Sequence, residues 1–385
     1  MNRALLVWAL AGCVKSTPLP DDAGGPNPPP QDAGPALDAA PREDSGPQDA
    51  GPPPEPDCDP PAAAADGWSY ETLARDDAGF GIAIEIDSTG APEVAYYAYY
   101  DGADVRWATR GAEGWHIEDA VTEADHGEYV SLALDSSGAA LVAYEGSADL
   151  RLATRAGGAW THEIAYAGFS GGWWTSIATD AEDAILVSSI DAGRVKISTR
   201  AGGAWSTEDI GEGGNTTSIA VDGAGRAHVC FSAPRNTLQY ATNAGGAWTV
   251  EEAAGTFEDL GFSCALALDA DGRAHIAYQG DDDLRYTTNA SGAWQAETID
   301  TGGGVYNSIA VDESGVVHVS FAPNSGGIGY ATDAGGAWTV TTIDPGGYGA
   351  SLALSPGVVH VAYWSGTDVR YARTPPAPDC VAPGR

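Results

Sequence analysis

The 385-residue sequence predicts an all-β chain: a seven-bladed β-propeller of four-stranded blades, its ring closed by an N-terminal strand and preceded by a disordered, proline-rich linker. Three observations carry this reading. A tryptophan recurs at Trp68, Trp115, Trp160, Trp205, Trp248, Trp294 and Trp338, with spacings of 47, 45, 45, 43, 46 and 44, which is the length of one propeller blade. No segment holds a helical period over ten residues. Fifteen of the 24 prolines lie between Pro18 and Pro61, which separates a stalk from a globular body at 65–374 and a short tail at 375–385. The charge narrows the function: with 54 acidic and 18 basic residues the net charge is −36, which would repel phosphate and excludes a nucleic-acid partner. There is no apolar run near 18 residues long, so no helix is expected to cross a membrane.

At the N-terminus, Arg3 precedes a nine-residue apolar stretch at 4–12, too short to span a bilayer but suited to the apolar region of a secretory signal peptide. Residues 1–12 are read as that signal. It ends Leu10-Ala11-Gly12-Cys13, which resembles a bacterial lipobox. The resemblance implies acylation of Cys13, and Val14 after it implies the outer membrane or cell surface, with the lipid as the one membrane contact. Residues 13–64 repeat Gln-Asp-Ala-Gly-Pro and hold ten carboxylates with almost nothing apolar beyond alanine, so they cannot offset their ordering entropy. Such a chain stays extended, and about 50 residues reach on the order of 100 Å.

Within the body each unit has four β segments. The first is Ser-Ile/Leu-Ala-Val/Leu-Asp, as at 218–222, and the second resembles His275-Ile276-Ala277-Tyr278. The third resembles Leu284-Arg285-Tyr286, and the fourth starts at the tryptophan. Between the first two stands Asp-x-x-Gly, at Asp87/Gly90, Asp135/Gly138, Asp222/Gly225, Asp269/Gly272 and Asp312/Gly315, a tight hairpin with glycine in the left-handed position. The last unit, 351–373, lacks its tryptophan strand. The strand from Trp68 is expected to pair beside Val369-Arg370-Tyr371, closing the ring and removing its open edges. A phase in which each blade starts with its own tryptophan strand also gives seven units.

The turn before the fourth segment resembles the Asp box of sialidase-type propellers, Asp-x-Gly-x-x-Trp, in Asp333/Gly335/Trp338 and, with amide for acid, in Asn243/Gly245/Trp248. Elsewhere Arg155 and Arg200 stand at the Asp position. The resemblance implies a fold and carries no activity. A glycoside hydrolase of that type remains the enzymatic alternative; it needs three convergent arginines, a Tyr-Glu pair and an acid. Arg106, Arg151, Arg285 and Arg370 occupy one repeat position, and His228, His275, His318 and His360 another, so both sets read as blade packing rather than as a clamp or a metal site. Gly168-Phe169-Ser170-Gly171-Gly172 fits a nucleophile elbow, but no helix follows it. No metal or cofactor is expected.

With Cys13 acylated, four cysteines remain. Cys58 and Cys380, in matching Pro-Asp-Cys contexts, are expected to be bonded. Cys230 and Cys264 face each other across a blade boundary and read either as a disulfide or as two buried thiols.

The candidate site lies where the repeat breaks. Loops entering the inner strands carry aromatics, and Phe80, Tyr129, Trp173, Trp174, Tyr306 and Tyr348 are expected around the channel mouth. Loops opening on the same face carry Asp101, Glu145, Asp149, Asp191, Asp281, Asp282 and Asp283. Aromatic faces beside hydrogen-bonding carboxylates suit a carbohydrate or a protein ligand such as a cationic peptide. The same aromatics could simply plug the ring, and the Asp281–Asp283 run reads as a solvated loop rather than a calcium site. The expected molecule is a monomeric, non-catalytic binding propeller; the remaining alternative is a structural envelope protein.

Overall fold

The computed structural model describes residues 65–375 apart from 66, 76–80, 99–104, 123–126, 128, 169–173 and 258–259, and apart from the side chains of 256 and 260–262. The expected acylation site Cys13, the expected pair Cys58–Cys380, and Phe80, Trp173 and Asp101 lie outside the described residues.

Seven four-stranded antiparallel sheets form the blades. Blades one to six span 82–121, 131–167, 176–212, 217–256, 260–300 and 303–344. Blade seven takes its three inner strands from 347–374 and its outer strand from Ser69–Ala74, which runs antiparallel to Asp368–Thr374 with Glu71 opposite Tyr371. The closing strand is where the sequence places it. The second strand of a blade is covered on both faces by its neighbours and is buried throughout, as at Pro92–Tyr97 and Ala274–Gly280. Outer strands such as Gln295–Asp300 and Thr339–Asp344 expose four of their six residues, whereas the closing strand Ser69–Ala74 is almost wholly buried.

Each Asp-x-x-Gly turn is held by its own carboxylate. Asp87 Oδ1 accepts from the N–H groups of Thr89 and Ala91, and Asp135, Asp222, Asp269 and Asp312 repeat the arrangement. Asp180 does the same in blade three, where the left-handed residue is Asp183 instead of glycine.

Adjacent blades are tied at the rim through a Trp-x-x-Glu spacing. The indole N–H of Trp205, Trp248, Trp294 and Trp338 donates to Glu163, Glu208, Glu251 and Glu297 of the preceding blade, at 2.8–3.1 Å. Trp115 donates to Glu71 at 2.9 Å, so the closing strand takes part in the same series. The arginines at the degenerate box position join it: Arg110 reaches Glu71 at 2.6 Å and Arg200 lies 3.1 Å from Glu163, while Arg155 holds both oxygens of Glu118 in place of the Trp160 indole, whose N–H has no partner. Donation from Arg155 is the main cause that takes the Glu118 carboxyl down to about 2. In blades four to six the box residue works differently. The side-chain oxygens of Asn243, Asn289 and Asp333 accept from the N–H groups of Ala227, Ala274 and Val317 within their own sheets.

The four repeated histidines are packing residues. His275, His318 and His360 Nδ1 lie 2.6 Å from the hydroxyls of Tyr286, Tyr330 and Tyr371, and His228 is bonded in the same way to Tyr240. Each tyrosine ring meets the tryptophan of the next blade at 5.1–5.3 Å, Tyr330 on Trp68 and Tyr371 on Trp115 included. Blade one replaces the pair by Glu93 and Trp107, which are also hydrogen-bonded, and blades two and three by Leu141/Leu152 and Leu186/Ile197. The site is filled by two polar partners or by two apolar ones, because a lone buried polar group costs about 1–3 kcal/mol.

Cys230 and Cys264 are joined across the boundary between blades four and five, which decides between the two alternatives. Cys264 lies within the inner strand Leu260–Leu268, which begins earlier than the repeat indicated.

Two predictions follow from the blade contacts. Glu71→Ala removes the acceptor of both Arg110 and Trp115 on the closing strand and should lower the urea-unfolding free energy by about 2–4 kcal/mol. Glu208→Ala, which releases one indole at an exposed rim, should cost less than about 1 kcal/mol. The second concerns pH. Burial pushes the imidazoles of His228, His275 and His318 down against the pull of nearby Asp222, Asp269 and Asp312. His360 has Ser355 in place of an Asp, and burial and then the Arg373 charge take it to about 4. A histidine kept neutral in the fold contributes stability that is fully present above its unfolded value near 6.5 and is lost as pH falls through the folded value. Melting temperatures should therefore fall between pH 6.5 and 4. His360→Leu alone should cost about 1–3 kcal/mol at pH 7, and His360→Leu with Tyr371→Phe less than the single change, with a shallower acid slope.

Candidate functional site at the channel mouth

The inner strands line the channel, and one repeat position sets its wall: Ala83, Ser131, Ser176, Ser218, Ala265, Ser308 and Ser351. These hydroxyls join blades. Ser176, Ser218, Ser308 and Ser351 accept from the N–H groups of Ile219, Leu266, Leu352 and Ile84 in the following blade, at 3.1–3.3 Å. Ser131 meets the Thr175 hydroxyl at 3.2 Å. Blade five has Ala265 at this position, and Ser263, two residues earlier on the same face, accepts from Asn307 N–H instead.

That earlier position, two residues before the wall serine, is occupied by Gly81, Tyr129, Trp174, Thr216, Ser263, Tyr306 and Gly349. The backbone turns left-handed at four of them, with φ of 80° at Gly81, 71° at Trp174, 50° at Tyr306 and 55° at Gly349. For glycine this costs nothing; for a bulky aromatic residue it is strained. The strained pair meet: the rings of Trp174 in blade three and Tyr306 in blade six lie 5.5 Å apart, from opposite sides of the ring. The contact extends to Tyr129 on one side, at 5.2 Å, and on the other through Tyr348 at 5.1 Å to Trp364 at 4.9 Å. Gly349 is required here twice over, since a Cβ would stand 2.3 Å from the Trp364 indole nitrogen. Burial raises the phenols of Tyr306 and Tyr348.

Four of the six expected aromatics, Tyr129, Trp174, Tyr306 and Tyr348, thus form one continuous belt. Tyr306 and Tyr348 were expected on loops; they lie on the early parts of extended inner strands, Gly303–Val311 and Gly347–Ser355, where register shifts around Val305 and between Tyr348 and Ala350 re-aim their side chains. Trp364, at the end of a second strand, was not anticipated. At its repeat position blade one also has an aromatic, Tyr97, while the other blades have Glu145, Ile190, Ser232, Gln279 and Ala322, so the pattern alone does not single it out.

The belt borders a cavity of about 220 Å³, whose wall includes the serines above together with Thr175, Thr217, Asn307 and Cys264. Among the described residues no charged side chain lines it. The expected acidic contribution is largely engaged elsewhere: Asp149 holds Arg151 at 2.7 Å, Asp281 and Asp283 lie 3.6–3.7 Å from Arg285, and Asp191 accepts from the Tyr166 hydroxyl. Among the described residues no cluster of His, Cys, Asp or Glu has metal-binding geometry. Phe257 packs on Tyr278 and Arg285, apart from the belt.

One pair of carboxylates stands out at the other end of the inner strand of blade one. Glu85 takes the place of Ala133, Ala178, Ala220, Ala267, Ala310 and Ala353, and lies directly opposite Glu93 in the sheet. Burial, then the charge of Glu93, pushes Glu85 up to about 7; Glu93 is raised too, by burial, although it accepts from the Trp107 indole.

No family model and no curated protein matches the chain. Solved structures do. A virginiamycin B lyase from Staphylococcus aureus superposes with a TM-score of 0.58 at 11% identity, covering 80% of this chain and 99% of that one. A fungal lectin from Aleuria aurantia, described as a six-bladed β-propeller with a novel fucose recognition mode, gives 0.52 at 14% identity over 71% and 97%. A triple-arginine mutant of AofleA from Arthrobotrys oligospora gives 0.53 at 12% over 73% and 92%. At such identities the likeness is one of fold.

The raised Glu85 carboxyl gives a prediction. A carboxyl whose folded value lies above its unfolded one contributes stability below about 4.5, lost as pH rises through about 7. Glu85→Gln should therefore melt higher than the wild type at pH 8, with the gap closing by pH 5. Equal melting temperatures at both would contradict it.

Proposed function

We propose that the protein is a non-catalytic carbohydrate-binding propeller, carried on a lipid-anchored stalk at the outer membrane or cell surface, and that the belt Tyr129–Trp174–Tyr306–Tyr348 is its contact surface. The observation that carries the reading is the backbone strain at Trp174 and Tyr306. Left-handed bulky residues cost on the order of 1–3 kcal/mol each and collect where function requires a placement that packing alone does not. Apolar side chains in relaxed conformations would plug a ring without that cost. Flat aromatic faces beside hydroxyl groups match the alternating apolar and polar faces of a sugar, and a preordered ring of loops binds with little ordering cost. The Aleuria aurantia lectin among the neighbours accords with this reading. The lipid on Cys13 and the extended linker would hold the binding face clear of the membrane, with the protein acting as a monomer.

The lyase neighbour and the Glu85–Glu93 pair favour a catalytic reading. The pair lies at the far end of the inner strand from the belt, and one member is committed to Trp107.

A glycan array probed with the full chain and with Trp174→Ala tests the proposal. Retention of a defined glycan group by the wild type, with at least tenfold weaker signal in the variant, is the expected result. No retained glycan, or retention indifferent to the substitution, would overturn it.

A further inference from the structure

We infer that the channel cavity takes one uncharged sugar ring and rejects sugars that carry a carboxylate; this rests on the carbohydrate reading above and assigns the cavity its own contacts. A volume of about 220 Å³ accommodates a single pyranose with its substituents. Its wall mixes apolar side chains with hydroxyls and, among the described residues, carries no charge. Ser176, Ser218, Ser308 and Ser351 each accept one backbone N–H, and each retains its own O–H to donate. Such a wall matches a ligand whose hydroxyl oxygens both accept and donate.

Two further groups are unspent. The Thr217 hydroxyl belongs to a residue only 4% exposed that lines the cavity, yet it has no hydrogen-bond partner. Asn307, also in the wall, donates from Nδ2 to the Gly304 carbonyl, which fixes the amide, while its Oδ1 is unpartnered. Both atoms lie beneath the cavity surface, between blades; a buried polar group without a partner costs about 1–3 kcal/mol, a cost that a ligand hydroxyl removes where the wall yields to admit it.

Anionic sugars meet the opposite situation. A carboxylate brought into this wall would find, among the described lining residues, no lysine or arginine to offset its desolvation. It would also approach through the field of a chain with net charge −36.

The test uses the full chain and saturation-transfer NMR with competition titrations. The probes are methyl glycosides of glucose, galactose, mannose, N-acetylglucosamine and fucose, and, as anionic counterparts, glucuronic and N-acetylneuraminic acid. Thr217→Val preserves shape and removes the hydroxyl; because that hydroxyl makes no bond in the fold, the melting temperature should not drop. At least one neutral glycoside should bind, the anionic pair at least tenfold more weakly, and Thr217→Val should reduce neutral binding by about 3- to 10-fold. Equal binding of glucuronic acid, or neutral binding unchanged in Thr217→Val, would overturn the inference. If neutral sugars bind and Trp174→Ala abolishes this while Thr217→Val does not, the belt remains the carbohydrate site and the cavity does not. If no sugar binds, the carbohydrate reading fails first and this one with it.

Discussion

Every blade presents two apolar faces, and a closed ring is the arrangement that leaves neither exposed. That requirement governs the rest of the structure. Equivalent residues meet at each boundary, so one solution can serve repeatedly: a serine in the channel wall accepting from the next inner strand, and a glutamate at the rim accepting from the next tryptophan. The boundary slot beside the wall position is filled by Ala95 with Val130, Ala143 with Thr175, Ser188 with Thr217, Cys230 with Cys264, Ala277 with Asn307, Ser320 with Ala350 and Ala362 with Ile82. Small faces small or medium at each. The disulfide is thus one occupant of a repeated slot, and Thr217 and Asn307, whose polar atoms are unpartnered, occupy the same slot at two other boundaries.

The architecture was legible because periodic tryptophans and Asp-x-x-Gly turns express it locally, and because the last unit visibly lacks a strand that Trp68 to Leu73 supplies. The histidines were legible for the same reason: positions equivalent around a ring do not converge on an ion. Contacts between blades were harder. Trp-x-x-Glu is present in the sequence as Trp115/Glu118 or Trp205/Glu208, but the glutamate serves the tryptophan of the following blade, some 40 residues on, so nothing in the local pattern joins them. Arg155 and Arg200 looked like decay of a box motif. They are a second way of filling it, in which the side chain turns from its own hairpin to the neighbouring blade. The coupling of His to Tyr, or Leu to Leu, was readable by comparing the units with one another, since a buried polar residue is tolerated only with its partner.

The candidate site was only partly legible. Aromatics before the inner strands marked the mouth, yet Trp364 enters from a second strand, and the bulges that turn Tyr306 and Tyr348 inward leave no mark in side-chain pattern. Acidic residues misled, because an aspartate on a loop reads the same whether it faces solvent or holds an arginine of its own blade, as Asp149 and Asp283 do.

What separates the mouth from the rest of the ring is the way energy is distributed there. Unpartnered buried atoms also occur along the walls and rims, Trp160 Nε1, Ser188 and Tyr278 among them, and left-handed polar residues such as Arg235, Asn236, Asp281 and Asp282 sit in turns, where that conformation is ordinary. At the mouth the chain holds Trp174 and Tyr306 left-handed at a position where Gly81 and Gly349 adopt the same turn without strain. Glycine at all four would preserve the backbone path. The aromatics are therefore not needed to make the turn; they are placed on it, and the rigid ring behind them supplies the stability that lets them stay. The unpartnered Thr217 and Asn307 atoms lie in the same cavity wall. Strain above and unmet hydrogen bonds in the wall below are both costs that a bound ring with hydroxyl groups would offset, and their coincidence at one end of the channel is the physical reason to place recognition there.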